Sequence, residues 1–556
     1  LLRRWLERPL TDVNRIIQRQ DGIEELTGHT TELSQLEEML EHVFDFERIL
    51  TRIEANTTSP KDLLALKASL GMIPEIKKLL SGTVSIVLRK LSDQMDIHST
   101  VYELLDRSMN ENGTGNIRDG KYIKEGYSAE LDEVRSLSEN SRKWIADLEE
   151  REKEKTGIKL KIGFNNVFGY YFEITNANKV PIPEYYMRKQ TLVNAERYIT
   201  PELKEFETKA LSAKEKTEEL ELKIYQAVKA AIRPEIAAMQ RTAKALAALD
   251  CLTGLSRAAL KDRYVRPQIT NSREGRISIH DGRHPMVEHA LKREMFVPND
   301  TELNHTDQEM IIITGPNMAG KSTYMRQVAV LTIMAQTGSF IPAKSASFAP
   351  VDRIFTRVGA ADDISTGQST FMVEMKEVSH ILCNATKNSL ILLDEIGRGT
   401  STYDGMSIAR AVVEYLNANV HAYTLFATHY HELSDMAAEN EHIKNYTVTV
   451  KERGKEITFL RRIVPGSADK SYGIHVARLA GLPEALLKRA DEILEGLEVE
   501  GIKEEPAAPV IRRETALNLF SSPIIDELAD LDVMSKTPIE AMEILFRLSK
   551  EAKEGR

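Results

Sequence analysis

Ile311-Ile312-Ile313-Thr314-Gly315-Pro316-Asn317-Met318-Ala319-Gly320-Lys321-Ser322-Thr323-Tyr324-Met325-Arg326 is the stretch that decides the fold. Met310 to Thr314 is an apolar run with the length of a buried strand. A loop follows in which Gly315, Gly320, Lys321 and Ser322 keep the spacing G-x-x-x-x-G-K-[ST], and then a helix. The glycines let successive backbone N–H groups turn inward on phosphate oxygens. Pro316, Asn317, Met318 and Ala319 complete the cradle, and Thr323 follows in the first turn of the helix. Lys321 is placed to reach the outer phosphates of a triphosphate, and Ser322 to ligate Mg²⁺. The helix that begins there points its partial positive end at the same anion. A chance glycine loop would lack the strand before it and the helix after it.

Working outward, Leu390 to Leu393 is a second apolar strand, and it ends in Asp394 and Glu395. Asp394 is placed to hold Mg²⁺ beside Ser322, directly or through water, and Glu395 to orient and polarise an attacking water. His429 follows the strand Leu425 to Ala427 and fits either a contact with the γ-phosphate or water, or a structural position. Ser365 to Phe371 offers hydroxyls at a helix start, which suits an anion or plain capping equally. Phe296 fits a stacking platform for adenine as well as it fits a core position. With Ile277 to Ile279 and Arg353 to Thr356 as further strands, residues 269–466 read as an α/β domain. Its sheet is doubly wound, with nucleotide at the carboxyl edge. Tyr446 to Val450 and Ile457 to Leu460 read as a closing hairpin.

Upstream, residues 1–144 read as a helical domain whose last helix starts near Ser128. Ile158, Leu160, Ile162 and Phe164, then Tyr170, Phe172 and Ile174, alternate as a β-hairpin. The polar stretch from Met187 to Tyr198 follows. From Pro201, apolar or small residues recur at Phe206, Ala210, Ala213, Thr217, Leu220, Ile224 and Ala227, a heptad seam. About 30 helical residues make a rod ~45 Å long. A β unit between two long helices favours an antiparallel arm, residues 145–204 being the tip and 205–268 the return, over ordinary bundle packing. Downstream, 467–497 reads as two helices joined at Ala480 to Pro483, and 498–556 as a linker and tail.

The 556 residues are long enough for several domains, and 42% hydrophobic with 28% charged residues fits globular cores. A net charge of −10 argues against a wholly basic nucleic-acid binder but leaves room for a local patch. Two cysteines in unrelated contexts exclude a disulfide framework and zinc spacing, so a cytoplasmic location is expected. No apolar run is long enough for a transmembrane helix. The chain opens Leu1-Leu2-Arg3-Arg4-Trp5-Leu6, without Met and already helical in pattern, and reads as a piece of a longer polypeptide.

TGPNMAGKSTYMRQ, FTRVGAADD, STGQSTFMVEM, LLDEIGRGTSTYDG and FATHYHEL together resemble the ATPase domain of the MutS DNA mismatch-repair family. The resemblance extends through GRHPMVE, GYYFEITNANK and YMRKQTLVNAERYITPELKE to the opening LLRRWLERPL, nearly the whole chain. It implies a bacterial, nucleoid-associated homodimer of ABC-type ATPases with ATP sandwiched between subunits. Asn317, Lys321 and Ser322 would hold phosphates and Mg²⁺, and Asp394, Glu395 and His429 would serve hydrolysis. Ser369 would reach the γ-phosphate bound on the other subunit, and Phe296 would stack on adenine. The β unit would be a clamp on double-stranded DNA, with Arg188, Lys189, Asn194 and Arg197 suited to phosphate contacts. Residues 471–497 would be a helix-turn-helix that locks the dimer. Partners of the MutL type are implied, with tetramers through the tail and a sliding clamp docked on Leu517 to Phe520 as further possibilities; Ala516 stands where such a docking peptide carries Gln.

The family's mismatch-binding domain, with its Phe-x-Glu motif, and its connector domain do not precede Leu1, so this polypeptide is expected not to recognise a mismatch by itself. The alternatives are a family paralogue acting in recombination, a transporter cassette or chromosome-organising ATPase, and a DNA tether with a dead nucleotide site. A cassette has no use for the helical arm, an organiser has far longer heptads, and the intact loop with its acid pair argues against the tether.

Overall fold

The computed structural model describes residues 1–113, 116–165, 169–271, 275–291, 295–316, 319–358, 369–453, 456–467, 473–500, 544 and 547. The chain divides into two units, Leu1–Ala480 and Gly481–Arg556. The first opens with the helices α1 (Leu2–Glu7), α2 (Val13–Gly28), α3 (Thr30–Glu41), α4 (Phe46–Glu54), α5 (Pro60–Leu80), α6 (Ile86–Gln94) and α7 (Ser99–Ser108). Their starts are written locally. Ser59 caps α5 in a reciprocal box with Asp62, and Pro60 takes the first-turn position that needs no N–H. Their apolar faces, among them Ile23, Leu50, Leu66 and Leu88, form one buried core with Leu246 and Leu252 of a later helix.

Two long helices leave this core. α8 (Ala129–Thr156) is capped by Ser128, as its sequence predicts, and runs 28 residues, past the 144/145 division. After a small sheet the chain returns as α9 (Pro201–Ile232), 32 residues or ~48 Å long. The two helices pack on each other, with Trp144 stacked on Phe206 at 4.0 Å. The seam holds at Phe206, Ala213, Thr217, Leu220 and Ile224, all half-buried, but Ala227 is exposed. There the buried stripe moves to Tyr225, Val228 and Ile232, which belong to the helical core. The outer half of α9 is therefore an arm and its base is bundle packing; the face it buries turns as its surroundings change. α10 (Ile236–Asp262) continues inside the core.

At the outer end of α8 and α9 sits a four-stranded antiparallel sheet, β1 (Leu160–Asn165), β2 (Gly169–Thr175), β3 (Met187–Thr191) and β4 (Ala195–Ile199), in the order β1-β2-β4-β3. The first hairpin is the expected one. The polar stretch from Met187 adds a second that its composition concealed, because β3 is an exposed edge strand of charged and polar residues, which resists further pairing. The sheet has its own core, Leu148, Ile158, Leu160, Phe172, Ile174, Tyr186, Tyr198 and Leu203, shared with α8 and α9.

The base of the arm is pinned by one buried carboxylate. Glu221 of α9 has a side chain 2% exposed and accepts from Arg135 of α8 at 2.6 Å. It also accepts from the backbone N–H groups of Lys121 and Ile123, each at 3.1 Å. Glu221→Ala removes the acceptor shared by the half-buried Arg135 guanidinium and two backbone donors, and is expected to destabilise the chain by about 1–3 kcal/mol. Chemical denaturation checks this, and a loss under about 1 kcal/mol would contradict it.

Beyond α10 the chain builds two sheets. β5 (Gln268–Ile269), β6 (Arg276–Gly282), β7 (Asn299–Asn304) and, later, β9 (Ser345–Phe348) form one, in the order β5-β9-β6-β7, with α11 (Pro285–Leu291) between β6 and β7. The central sheet is β10-β11-β12-β8-β13-β14, made of β8 (Met310–Thr314), β10 (Ile354–Arg357), β11 (Leu390–Asp394), β12 (Tyr423–Ala427), β13 (Ile443–Arg453) and β14 (Glu456–Pro465). The first five are parallel, and only β14 runs back, closing the expected hairpin at the edge. Helix α12 (Lys321–Thr337) packs on one face through Tyr324, Met325, Val328 and Leu331, together with the smaller sheet. Helices α13 (Thr370–Asn384) and α14 (Thr402–Tyr415) cover the other through Val378, Ile381, Ala409 and Val413. Strands buried on both faces explain their unbroken apolar runs.

The far end of α12 is fastened to the helical region. Gln336 donates to Leu10 O and Val351 O and accepts from Val351 N, each at 2.9 Å. Arg19 donates to Thr337 O at 2.8 Å while its guanidinium lies over the Trp5 ring. The helix that starts at Lys321 thus ends against Leu10, between the first two helices, and Arg19 of the second. After α15 (Met436–Glu439) and β14, the first unit ends in α16 (Gly473–Leu479); the second contains α17 (Glu484–Glu500), so helix persists to 500 where a linker was expected from 498. The Leu517–Phe520 stretch and the tail helix expected from Ile524 lie outside the described residues. Among the described residues no helix is long and apolar enough to cross a membrane.

Candidate nucleotide site

Three neighbouring parallel strands bring the candidate residues to one edge. Asp394, the last residue of β11, lies opposite Ala427, the last of β12, which lies opposite Ile313 of β8. Thr428 N–H then donates to Ile313 O and Glu395 N–H to Ala427 O, at 3.0 and 2.9 Å, so the strand exits are tied together. With neighbouring strands ~4.8 Å apart, the acid pair stands ~10 Å from the start of the phosphate loop, a gap side chains close.

Gly315 and Gly320 both have left-handed backbones, φ +132° and +104°, as the cradle requires. Ala319 is buried; Asn317 and Met318 lie outside the described residues. Lys321 is 4% exposed and donates to Gly315 O at 2.5 Å and Pro316 O at 3.2 Å. Burial pulls its pKa down, while Glu395 and Asp394 oppose that. Ser322, half-buried beside Thr323, hydrogen-bonds the Asp394 carboxyl. Burial raises the Asp394 pKa despite that bond, and its Oδ1 is a buried atom without a hydrogen-bond partner. An orphaned carboxylate oxygen beside a serine hydroxyl fits Mg²⁺, a cation usually held by one or two protein oxygens plus phosphate and water.

Glu395 takes φ +54°, strained for a residue with a Cβ, and pairs with Arg398. His429 is half-buried, tilted against the Tyr430 ring at 4.4 Å, and its Nδ1 is buried without a partner. Burial, with help from Arg398 and against Glu395, holds the imidazole below the usual histidine range.

The depressed imidazole has a pH consequence. Burial lowers His98 and His284 as well. A base depressed by folding binds its proton first in the unfolded chain, so stability falls as pH drops below the unfolded value of about 6.5. The thermal midpoint at pH 5.5 is expected below that at pH 7.5, with His429→Gln narrowing the difference; equal midpoints would contradict the assignment.

Two other expected site residues stand apart. Ser369 caps α13, its Oγ accepting from Met372 N at 3.2 Å, and is exposed. That helix packs on β10, three strands from β8, on the order of 14 Å across the sheet. Phe296 is half-buried in the segment leading into β7, which Asn299 ties to β14.

Comparison with known proteins adds an independent observation. Residues 1–256 match MutS domain III and residues 311–498 match MutS domain V. A protein of Clostridium perfringens named DNA mismatch repair protein MutS is 45% identical over 100% of this chain and 67% of its own length. The chain belongs to the MutS family. Proteins of the same name from Caldicellulosiruptor bescii and Syntrophomonas wolfei are 48% and 49% identical over 99% of this chain. This MutS-family chain spans 65% and 63% of their lengths.

On the arm of this family member, the four expected DNA contacts are unequal. Lys189 is exposed at an irregular step of the β3–β4 pairing, and Asn194 is exposed at the turn between those strands. Arg188 pairs with Glu196 at 3.1 Å. Arg197 has a side chain 18% exposed, lies over the Tyr171 ring at 4.2 Å and pairs with Glu173, so its charge is largely spent inside the sheet.

Sequence reasoning gave no role to Arg357, Glu374, Gly397 or Tyr430, which surround the Glu395 loop. Arg357 and Glu374 lie within the motifs FTRVGAADD and STFMVEM. The signal that would have found them is a charged residue inside otherwise apolar surroundings.

Proposed function

We propose that this chain binds and hydrolyses ATP with Mg²⁺ and uses the nucleotide to switch a grip on duplex DNA, as part of DNA mismatch repair. The observation that carries the reading is the convergence of Lys321, Ser322, Asp394 and Glu395 at the exits of three adjacent strands. Lys321 gives up two loop carbonyls for the outer phosphates. Ser322 and Asp394 hold Mg²⁺, which neutralises charge on the transferring phosphoryl group when bound. Glu395 orients the attacking water, and His429, kept neutral, offers a ring nitrogen to the water or the γ-phosphate. Phe296 stacks on adenine.

The exposed hydroxyl of Ser369, across the sheet from its own chain's Lys321, supports a role at a second subunit's nucleotide. A homodimer, with residues 471–497 joining the subunits, follows from that reading. The small sheet, carried at the outer end of α8 and α9, supports a DNA clamp with Lys189 and Asn194 on phosphates. The repair name carried by the three relatives above favours mismatch repair over recombination, and MutL-type partners belong to the same proposal.

Two measurements test it. Phosphate release from ATP is expected to stop when a chelator strips Mg²⁺ and to resume when Mg²⁺ is restored; release in excess chelator would contradict the metal's place. Lys189→Glu is expected to weaken duplex binding at low salt several-fold and to flatten its salt dependence by about one ion. Unchanged binding would remove the sheet from the interface.

A further inference from the structure

Arg357, at the end of β10, and Glu374, in α13, are both buried, at 7% and 5% exposure. A buried ion pair is poor value for stability alone, because desolvation offsets much of its attraction. This one is asymmetric. Glu374 Oε2 faces Arg357 Nη2 at 3.3 Å, but Oε1 accepts the backbone N–H of Gly397 at 2.6 Å. Gly397 lies two residues after Glu395. Its carbonyl accepts from the Tyr430 hydroxyl at 3.3 Å, and Tyr430 is the neighbour of His429. Its Cα presses on Gly405 at the start of α14; a Cβ on Gly397 would lie 2.4 Å from Gly405 O. A φ of +88° at Gly397 follows a φ of +54° at Glu395, whose own N–H is held by Ala427 O. The short turn carrying Glu395 is thus fastened at both ends, by a strand carbonyl before it and by the Glu374 carboxyl after it.

We propose that Glu374 is a positioning residue for hydrolysis: by holding the Gly397 N–H it fixes where the Glu395 carboxylate stands over the phosphate cradle. Arg357 orients Glu374, and the Tyr430 hydroxyl holds the other side of Gly397 through its carbonyl, in the next peptide unit. This rests on the reading that Glu395 orients the attacking water. Glu374 is on a different helix from the phosphate loop, so its loss disturbs the placement of Glu395 and leaves the cradle intact.

The test measures steady-state phosphate release, affinity for a fluorescent ATP analogue and thermal midpoint in the full chain. In Glu374→Leu, kcat is expected to fall about 100-fold, the cost of an ångström of misplacement, with analogue affinity within about twofold. Glu374→Gln keeps an acceptor for the Gly397 N–H and is expected to recover to within about fivefold of the unaltered chain. Tyr430→Phe leaves the buried pair intact and is expected to lower kcat about fivefold at unchanged affinity. A folded Glu374→Leu with unaltered kcat, or one whose kcat and affinity fall together, overturns the proposal, as does Glu374→Gln no better than Glu374→Leu. Should Glu374→Leu fail to fold, unaltered kcat in Tyr430→Phe overturns it. Glu395→Ala run in parallel separates the two levels. Retained turnover there defeats the reading of Glu395 itself, whereas lost turnover beside an unaffected Glu374→Leu defeats only this inference.

Discussion

Lys321→Ala is expected to weaken ATP binding by at least about 100-fold, because two charge-assisted hydrogen bonds worth roughly 1.5–3 kcal/mol each are lost. The structure explains why the effect should be this large and this local. The ammonium group is buried and, among the described residues, bonded to the loop carbonyls of Gly315 and Pro316. Burial already penalises its charge, and the two acids of β11 only partly relieve that penalty. Phosphate oxygens supply the counter-charge the site lacks, so affinity and charge compensation disappear together with the side chain. The fold should survive, since a buried charge is removed rather than stranded. Titration with a fluorescent ATP analogue checks it; affinity near that of the unaltered chain would show that the loop does not bind the triphosphate.

Glu395→Ala is expected to do the opposite: nucleotide affinity within about threefold, and turnover reduced by about 10²–10⁴, the usual worth of a general base. Its carboxylate lies beyond the cradle at the exit of β11, with a side chain 21% exposed and paired to Arg398. Its side chain is part-exposed, so a water molecule can reach it. Single-turnover phosphate release separates the two quantities, and equal turnover in the variant would defeat the assignment.

How much of this was legible in the sequence depends on how local each signal is. The strand, glycine loop and helix from Ile311 to Arg326 announce themselves within sixteen residues, because backbone geometry and side-chain chemistry are specified together there. The acid pair is legible for the same reason: an apolar strand that ends in two carboxylates has few other uses. The edge strand Met187–Thr191 was not legible, since its exposed, charged composition is what keeps an edge from pairing further and also what hides it. Ala227 illustrates a different failure. A heptad extrapolates a straight seam, but the base of α9 enters a core that surrounds it, and Tyr225, Val228 and Ile232 take over. Arg197 looked like a phosphate contact because sequence shows charge and not orientation; cross-strand neighbours Glu173 and Tyr171 absorb it. The Glu374 hub was out of reach altogether. Arg357, Glu374, Gly397 and Tyr430 are separated by 17, 23 and 33 residues, and only the strand order β10-β11-β12 assembles them.

The central claim is that a phosphate cradle at one end of α12 and a DNA-gripping sheet at the end of α9 belong to one switch. Its most direct test is the rate of phosphate release from ATP by this chain, measured with and without duplex DNA at low salt. The account predicts Mg²⁺-dependent release whose rate changes when duplex is added. An absence of hydrolysis, or a rate indifferent to saturating duplex, would contradict it.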